Sequence, residues 1–434
     1  MLQKIPVYSS VFYALYLPFR HIRAFLFQQY LQRYGFFCDP IFPENRHLLF
    51  LRLSALNGKE LFFPMSHEIY MRRAIELAKR GLGTTAPNPL VGAVIVKDGR
   101  IIGEGYHAHC GGLHAERNAF ANCTEDPAGA DLYVTLEPCC HHGRTPPCTD
   151  IILEQGIRRV FIGSRDPNPK VSGKGAALLR QHGLEITEDF LQEECDALNP
   201  VFFHYMTKKM PYVAIKYAMT ADGKLATVTG ASQWITGETA RAHVHQLRHQ
   251  YQGILAGIGT VLADDPLLNC RLPDGKDPVR IICDSHLRLP LESRICQTAQ
   301  KIRTIVAYTE ASAEKIDALK ETGIHLWQMP NKNGHVALRP LLKKLAEAEI
   351  SSILAEGGGE IHASLLEEHL AQKAYIYLAP KIFGGKNAGT PVGGAGVPLP
   401  ADAFLLKPTG MQYFNEDLLL EFDVLEGGKA CLQD

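Results

Sequence analysis

The chain has 434 residues, a formal net charge of −1, and 46% hydrophobic and 21% charged residues. This length exceeds what one hydrophobic core usually serves, so two domains are expected. A net charge near zero excludes the global basic field that drives binding to nucleic acids or anionic membranes. The longest apolar run, residues 11–19, has nine residues, whereas a bilayer-spanning helix needs about 20. We therefore expect neither a nucleic-acid partner nor a membrane partner.

The eleven cysteines are odd in number and irregularly spaced, and two of them, Cys139 and Cys140, are adjacent. This usage is typical of a reduced protein rather than of a disulfide scaffold. It predicts a cytoplasmic protein in which clustered cysteines bind a metal.

Residues 1–64 differ in composition from the rest of the chain. They hold 15 of the 37 aromatic residues and seven basic residues against three acidic ones. Three interpretations are open: a targeting segment, which would be acid-poor and basic but also rich in Ser; an accessory segment; or an extension that precedes a working start at Met65. We favour the third, because a regular pattern begins at Met65.

From Met65 the chain alternates between helical and extended patterns. In chain order the sequence predicts a helix over 66–80, strands over 90–96 and 101–105 joined by an Asp-Gly turn, a helix over 114–122, a strand over 131–136, a helix over 150–155, a strand over 159–163 and a helix over 188–205. Such alternation predicts a layered α/β domain, which we place at 65–207.

A second α/β pattern follows, and we place its domain at 211–428. Here the sequence predicts strands over 212–218 and 280–283, helices over 239–250 and 338–348, and a strand over 350–355 that leads into Glu356 and three glycines.

The strongest chemical signal is His114 and Glu116 followed by Cys139 and Cys148. A catalytic zinc site needs three protein ligands and one open position, and an imidazole with two thiolates meets that need. Zinc lowers the pKa of bound water toward roughly 7, and Glu116 is free to move protons between water and a leaving amine. The order His-x-Glu then Pro-Cys and Cys is typical of nucleobase deaminases.

Two features of this motif leave alternatives open. Eight residues separate Cys139 from Cys148, where the compact deaminase motif has two, and Cys140 competes with Cys139 as the ligand. We choose Cys139 because it directly follows Pro138. His141 and His142 are interpreted as pocket or loop residues rather than as ligands. A closed structural zinc site would have no use for Glu116.

Four segments together resemble the bifunctional deaminase/reductase family of riboflavin biosynthesis. They are residues 84–92 (Thr-Thr-Ala-Pro-Asn-Pro-Leu-Val-Gly), His107, residues 114–116 (His-Ala-Glu) and residues 138–148 (Pro-Cys-Cys-His-His-Gly-Arg-Thr-Pro-Pro-Cys). The resemblance implies a cytidine-deaminase-like α/β/α domain that deaminates 2,5-diamino-6-(5-phosphoribosylamino)pyrimidin-4-one. It also implies that Asn88 and His107 help to hold this substrate.

The second domain lacks the Gly-x-Gly-x-x-Gly fingerprint of the usual dinucleotide fold. Its signals are residues 216–224, 232–236 and 260–266, and the Glu-Gly-Gly-Gly turn at 356–359. Glycines that open a helix expose backbone N–H groups to a phosphate. Taken alone, this turn is as much a tight turn as an anion site, and Arg248 and Arg271 are ordinary surface arginines.

Taken in order, these segments resemble the reductase half of the same family, which has a dihydrofolate-reductase-like α/β fold and uses NADPH. The resemblance places the substrate at Ser232, Arg248, Leu268, Arg271 and Glu356. It places the cofactor at Ala218, Trp234, Thr260, Asp264, Ser285, Gly358, Gly359, Glu360, Ile361, His362, Ala363 and Ser364. Lys216 is a further candidate, to polarise or protonate the sugar.

The resulting expectation is a cytoplasmic enzyme, homo-oligomeric, with one Zn²⁺ per chain and NADPH. It deaminates the small phosphoribosyl-pyrimidine and then reduces the ribosyl group of the product to ribityl. One rival is a nucleoside or RNA-editing deaminase with a C-terminal binding module, whose RNA form predicts a basic, aromatic face. The other is a regulatory zinc protein without catalysis.

Overall fold

The computed structural model describes residues 53–54, 60–61, 66–141, 146–168 and 171–425. The chain divides into two compact units, Met1–Ser66 and His67–Asp434. In the first unit, β1 (Leu53–Ser54) pairs antiparallel with β2 (Glu60–Leu61). Most of the 1–64 extension, and His142, lie outside the described residues. No helix in the described part combines the length and apolarity that crossing a membrane requires.

The first half of the second unit alternates helices and strands. Its elements are α1 (His67–Ala78), a 3-10 turn (Lys79–Gly81), β3 (Gly92–Lys97), β4 (Arg100–Tyr106), α2 (Ala115–Ala121), β5 (Asp131–Leu136), α3 (Cys148–Glu154), β6 (Arg159–Ser164), α4 (Lys174–Gln181), β7 (Glu185–Thr187), α5 (Gln192–Asp196) and α6 (Pro200–Lys208).

The five strands β3 to β7 form one sheet in the order β4-β3-β5-β6-β7. β5, β6 and β7 run parallel, whereas β3 pairs antiparallel with β4 and β5. Because side chains alternate along a strand, Leu132 and Val134 of β5 face α2, α3 and α4, while Tyr133 packs against Tyr70 of α1. Helices therefore cover both faces, and the expected α/β/α layers are confirmed.

One predicted element in this half is wrong. The helix predicted over 188–205 is two short helices, α5 and α6, separated by three residues. Asp189 and Leu191 have positive φ values of 59° and 54°, and Pro200 starts α6 because proline favours the first helical turn. No prediction covers helix α4, which has eight residues, or strand β7, which has three.

The second half holds a larger set of elements. They are β8 (Tyr212–Thr220), α7 (Glu238–Gln250), β9 (Gly253–Gly257), α8 (Ile258–Asp264), β10 (Val279–Cys283), α9 (Arg294–Gln297), β11 (Thr304–Tyr308), α10 (Ala313–Glu321), β12 (His325–Gln328), β13 (Asn331–Lys332), β14 (His335–Val336), α11 (Leu338–Glu347), β15 (Ser352–Gly357), α12 (Gly359–Glu367), β16 (Lys373–Ala379), a 3-10 turn (Pro400–Asp402), β17 (Leu406–Phe414) and β18 (Asp417–Val424).

Nine of these strands form one sheet in the order β12-β11-β10-β9-β15-β8-β16-β18-β17. The pairs from β12 to β16 are parallel, and β18 and β17 extend the sheet antiparallel. Val213 and Ile215 of β8 pack toward α11 and α12, and Tyr212 and Ala214 pack toward α7. The layered α/β organisation expected here is confirmed, although the strand predicted over 350–355 begins two residues later.

Parallel strands with short connections place their functional groups at the carboxyl edge. In the larger sheet β8, β9, β10 and β15 all end at this edge, and α8 and α12 begin there. In the smaller sheet β5 and β6 end together, close to the start of α3. Both candidate sites lie at these edges.

Candidate active sites

The three metal ligands expected from the sequence meet in the first half of the unit. His114 is the residue before α2, Cys139 follows β5, and Cys148 is the first residue of α3. The ligand atoms of these three residues lie within 4.8 Å of one another. The structure thus brings together residues 34 positions apart, and Cys140 is not part of the cluster.

The distances within this cluster fit a tetrahedral metal site. The His114 Nδ1 atom lies 3.6 Å from the Cys139 sulfur and 3.3 Å from the Cys148 sulfur. Ligand atoms on a tetrahedral zinc with bonds of about 2.0–2.3 Å are separated by roughly 3.3–3.8 Å. The Cys139 sulfur accepts hydrogen bonds from Cys148 and from His114, and these outweigh burial and hold the pKa of the Cys139 thiol well below its usual range. The cluster can therefore hold a zinc ion without rearrangement.

Glu116 is the second residue of α2 and lies beside this cluster. It is 3% exposed, and burial raises the pKa of its carboxyl. Glu116 and His114 both lie at the start of this helix, so the Glu116 carboxyl is close to the metal ligands. It is not one of the three clustered ligands itself. This arrangement suits a general acid and base.

A cavity of about 450 Å³ opens onto the cluster and onto Asn88 and His107. The His107 Nδ1 donates to the Leu113 carbonyl oxygen at 2.9 Å, and its Nε2 therefore accepts from the Asn88 amide nitrogen at 3.1 Å. Burial lowers the pKa of His107, which favours the neutral ring. The pair fixes the Asn88 amide, whose oxygen is then an acceptor for a bound amine.

Several residues of this cavity were not foreseen. Glu137 accepts backbone hydrogen bonds from Gly173 and Gly175 at 2.9 and 3.0 Å, which ties the start of α4 to the segment before Cys139. Asp166, after β6, lines the cavity, and burial raises the pKa of its carboxyl to about 6. A sequence pattern could have predicted both carboxylates, because Glu137 and Asp166 each come just after one of two adjacent parallel strands, where functional groups gather. His141, in contrast, was interpreted as a pocket or loop residue from the sequence, and it does line the cavity, with a buried Nδ1 that has no hydrogen-bond partner among the described residues.

A second cavity, of about 1070 Å³, lies at the carboxyl edge of the larger sheet. Nearly all reductase residues expected from the sequence line it. They are Lys216, Ala218, Ser232, Trp234, Arg248, Thr260, Asp264, Leu268, Arg271, Ser285, Glu356, Gly358, Glu360, Ile361, His362 and Ser364. Gly359 and Ala363 are not among the lining residues, and Ala363 is buried in the core.

Glu356 forms ion pairs with two of the cationic residues that line this cavity. Its carboxylate accepts from Arg248 Nε at 2.7 Å and from Lys216 Nζ at 3.4 Å, and its side chain is 4% exposed. Burial alone would raise the pKa of Glu356, but the two cations outweigh it and hold the pKa at about 2. Burial lowers the pKa of Lys216 despite this carboxylate. The arrangement presents a buried ammonium to the cavity.

The Arg248 guanidinium is held by its ion pair with Glu356. It also donates a hydrogen bond to the Asn269 carbonyl oxygen at 2.9 Å. Arg271 differs, because no hydrogen bond or ion pair joins it to the described residues, and its pKa is lowered by burial and by Arg248, Arg294 and Arg241. Arg294 also lines the cavity and was not foreseen from the sequence. Neither Arg271 nor Arg294 forms an ion pair with a carboxylate of the described residues, so these two cations are suited to bind an anion.

The glycine turn between β15 and α12 can approach a phosphate closely. A Cβ atom at Gly357 would lie 2.7 Å from the Thr260 hydroxyl oxygen, and Gly358 has a φ of +85°, which favours glycine. Gly358 and Glu360, at the start of α12, line the cavity. The start of a helix attracts anions, so the turn fits a dinucleotide phosphate.

Comparisons with known proteins agree with both sites. Residues 64–164 match the family model for the cytidine and deoxycytidylate deaminase zinc-binding region, and residues 211–420 match that for the RibD C-terminal domain. The chain is 54% identical to the riboflavin biosynthesis protein RibD of Actinobacillus pleuropneumoniae, over 84% of this chain and 97% of that protein. It is 40% identical to that of Escherichia coli, over 75% and 90%.

This chain belongs to the RibD family. Among solved structures, a Thermotoga maritima diaminohydroxyphosphoribosylaminopyrimidine deaminase/5-amino-6-(5-phosphoribosylamino)uracil reductase is 41% identical, with a TM-score of 0.72 over 82% of this chain and 98% of that one. Acinetobacter baumannii RibD is 35% identical, with a TM-score of 0.74 over the same shares.

The RibD assignment confirms the main sequence expectations. The chain is a bifunctional enzyme of riboflavin biosynthesis with a cytidine-deaminase-like first half and a dihydrofolate-reductase-like second half. It is a hydrolase and an oxidoreductase, and a zinc-binding deaminase region is present. A reductase family in the second half removes the two rivals, an editing deaminase with a binding module and a regulatory zinc protein.

Proposed function

We propose that the chain hydrolytically deaminates 2,5-diamino-6-(5-phosphoribosylamino)pyrimidin-4-one and then reduces the ribosyl group of the product to ribityl with NADPH. The observation that carries this proposal is the coexistence of two separate sites. One joins His114, Cys139 and Cys148 to the buried Glu116. The other joins a buried ammonium to a cation cluster and a glycine turn.

In the deaminase site we assign one Zn²⁺ per chain to His114, Cys139 and Cys148. Zinc held there supplies Lewis acidity that makes water nucleophilic near neutral pH. Glu116 takes a proton from this water and delivers one to the departing amine, so that ammonia leaves and a carbonyl remains. Asn88 and His107 hold the ring, because their mutual hydrogen bond fixes both side chains.

In the reductase site NADPH supplies the hydride that reduces C1′ of the sugar. Lys216 donates the proton that the ring oxygen needs as the sugar opens, and Glu356 holds the Lys216 ammonium in place. Arg271 binds the substrate phosphate, and the turn at Gly358 binds a cofactor phosphate. Trp234, Thr260, Asp264 and Ser285 complete the cofactor side.

The direct test is an assay of the purified protein with the phosphoribosylated diaminopyrimidine, following ammonia and NADPH separately. Release of one ammonia per substrate, followed by oxidation of one NADPH, is expected. Release of ammonia without NADPH oxidation would contradict the reductase assignment.

Replacing Arg271 by alanine should weaken substrate binding by the reductase and leave deamination nearly unchanged. Arg271 has no partner in the described chain that its loss would disturb, and a hydrogen bond to a charged group contributes roughly 1.5–3 kcal/mol. The reductase KM should therefore rise about tenfold or more. Arg303→Ala is the control, because Arg303 is exposed and does not line the cavity. An unchanged KM in Arg271→Ala would exclude this role.

The domain limits at 65–207 and 211–428 remain part of the proposal. The last strand of the smaller sheet along the chain is β7, and the first strand of the larger sheet is β8, which supports a domain limit between residues 207 and 211. The family match that begins at residue 64 supports the limit at residue 65. We expect a chain that starts at Met65 to keep both activities and its thermal stability, since no assigned residue precedes it. Loss of zinc or of soluble protein on this truncation would show that residues 1–64 are structural.

We also propose that the enzyme is cytoplasmic and homo-oligomeric. Every described cysteine is a free thiol, which suits a reducing compartment. Strand β17 is an edge strand whose residues are almost all exposed, including Met411 and Tyr413 at 65% and 66%. Long exposed edges of this kind are normally covered. A mass near 48.0 kDa in sedimentation would contradict the oligomer.

A further inference from the structure

One residue of the deaminase cavity comes from the reductase half of the chain. Glu349 follows α11, 233 positions after Glu116, and lines the same 450 Å³ cavity as His114 and Asn88. It is exposed to solvent, so it lies at the cavity mouth rather than at its metal end. Nothing in the motif of the first half points to it.

Glu349 occupies a backbone position that favours glycine. Helix α11 ends with hydrogen bonds from the Glu349 N–H to the Ala346 carbonyl oxygen and from the Ile350 N–H to the Leu345 carbonyl oxygen, both 3.0 Å. This is the Schellman motif, whose left-handed residue is usually glycine. Glu349 has a φ of +60°, a left-handed conformation that L-residues seldom adopt because the Cβ atom comes too close to the following carbonyl oxygen. A carboxylate is kept there at a cost in stability.

The same turn is connected to the deaminase ring-binding segment through α6. The Tyr205 hydroxyl donates to the Ala346 carbonyl oxygen at 3.0 Å, the oxygen that also accepts from Glu349. At the other end of α6, the buried Asn199 side chain accepts from Leu90 N–H at 2.7 Å and donates to Leu90 C=O at 2.8 Å. Leu90 is two residues after Asn88, so the position of Glu349 is fixed relative to the deaminase cavity.

The chemistry of this cavity limits what Glu349 contacts. The reacting ring must lie near Glu116 at the buried end, so its ribosyl substituent extends toward the mouth. A carboxylate accepts hydrogen bonds from hydroxyl groups and repels phosphate. Phe202 of α6 lines the same cavity and offers an apolar surface. The hydroxyl groups of the sugar are therefore the matching donors.

We propose that Glu349 is a substrate-positioning residue of the deaminase, contributed by the reductase half, and that it accepts hydrogen bonds from the ribosyl hydroxyl groups. The inference rests on the proposed deaminase substrate. It makes the first active site dependent on the second half of the chain, although no residue of the second catalytic cavity is involved.

The test compares Glu349→Gly, Glu349→Gln and the control His369→Gly in the full chain. His369 is an exposed residue in the same left-handed position after α12, with φ +52°, and it lines neither cavity. Glycine relieves the backbone at both positions, so neither variant should lower the thermal unfolding midpoint.

For Glu349→Gly we expect the KM for deamination to rise about tenfold, equivalent to about 1.4 kcal/mol, with kcat changed by less than about twofold. Glu349→Gln keeps an acceptor oxygen and should recover most of this loss. The reductase KM, and both activities of His369→Gly, should stay at the unmodified values. Calorimetric titration with the same diaminopyrimidine should show the same loss of affinity.

An unchanged deaminase KM in Glu349→Gly would overturn the inference, as would an equal rise in the reductase KM. Absence of ammonia release by the unmodified protein would refute the proposed function instead, and that result is independent of the variants.

Discussion

Replacing Glu116 by glutamine should lower the rate of deamination by about 10²-fold or more, while zinc content stays near one per chain. Glutamine keeps the size and shape of the side chain, and Glu116 is not among the three clustered ligands. Its amide cannot take a proton from water or hand one to the leaving amine. The variant therefore separates proton transfer from metal binding.

Zinc content by mass spectrometry and ammonia release are measured on the same preparation. Cys139→Ser is the contrasting variant, because a hydroxyl is a far poorer zinc ligand than a thiolate. It should lose much of its zinc together with its activity. Loss of zinc in Glu116→Gln would make Glu116 a ligand, and deamination at the unmodified rate would place the proton transfer elsewhere.

Both variants should still oxidise NADPH when supplied with the deaminated intermediate. The described residues that line the reductase cavity all come from Lys216 onward, whereas the altered residues belong to the first sheet and its helices. Equal loss of both activities would indicate that the variants are misfolded, and it would disqualify them as evidence on catalysis.

The ligands could be predicted from sequence because they belong to short local motifs. His114, Cys139 and Cys148 each sit at the start of a helix or the end of a strand, so local order largely determines their geometry. The reductase residues were foreseen only through a family resemblance. Spacing alone left Arg248 and Arg271 as surface arginines, whereas the fold buries Arg248 against Glu356 and gives Arg271 no ion pair with the described residues.

Other features depend on tertiary packing and could not be found in this way. Glu137 gains its role from α4, about 40 residues later, and Glu349 gains its place from the contact between α6 and α11. The helix predicted over 188–205 failed because its periodicity continues across a break at Asn199, whose side chain bonds to Leu90 instead. Long-range hydrogen bonds of this kind leave no local pattern.

Replacing Glu356 by glutamine should destabilise the reductase half and nearly abolish reduction. The Arg248 and Lys216 side chains are 12% and 14% exposed, and loss of the carboxylate leaves both cations buried without a counter-ion. Breaking a buried ion pair from one side costs about 3–5 kcal/mol. Reduction should fall on the order of 10²-fold or more, because Lys216 loses the partner that positions it for proton transfer.

The pH dependence of this effect has a definite sign. The pKa of Glu356 in the folded protein is about 2, against an ordinary value of 4.5. A lowered folded-state pKa stabilises the protein above the unfolded-state value, and this contribution is lost as the pH falls toward the folded-state value. The stability difference between the unmodified protein and Glu356→Gln should thus be constant above about pH 5 and shrink between about pH 4.5 and 2.

Adding Arg248→Met to Glu356→Gln distinguishes two causes of the lost stability, an unpaired Arg248 charge and lost packing. Arginine cannot lose its proton, whereas Lys216, whose pKa burial already lowers, can. The double variant should therefore recover part of the thermal unfolding midpoint but none of the reductase activity, and deamination should persist in both proteins. If the midpoint falls further in the double variant, the destabilisation comes from packing, and the unpaired Arg248 charge is not its cause.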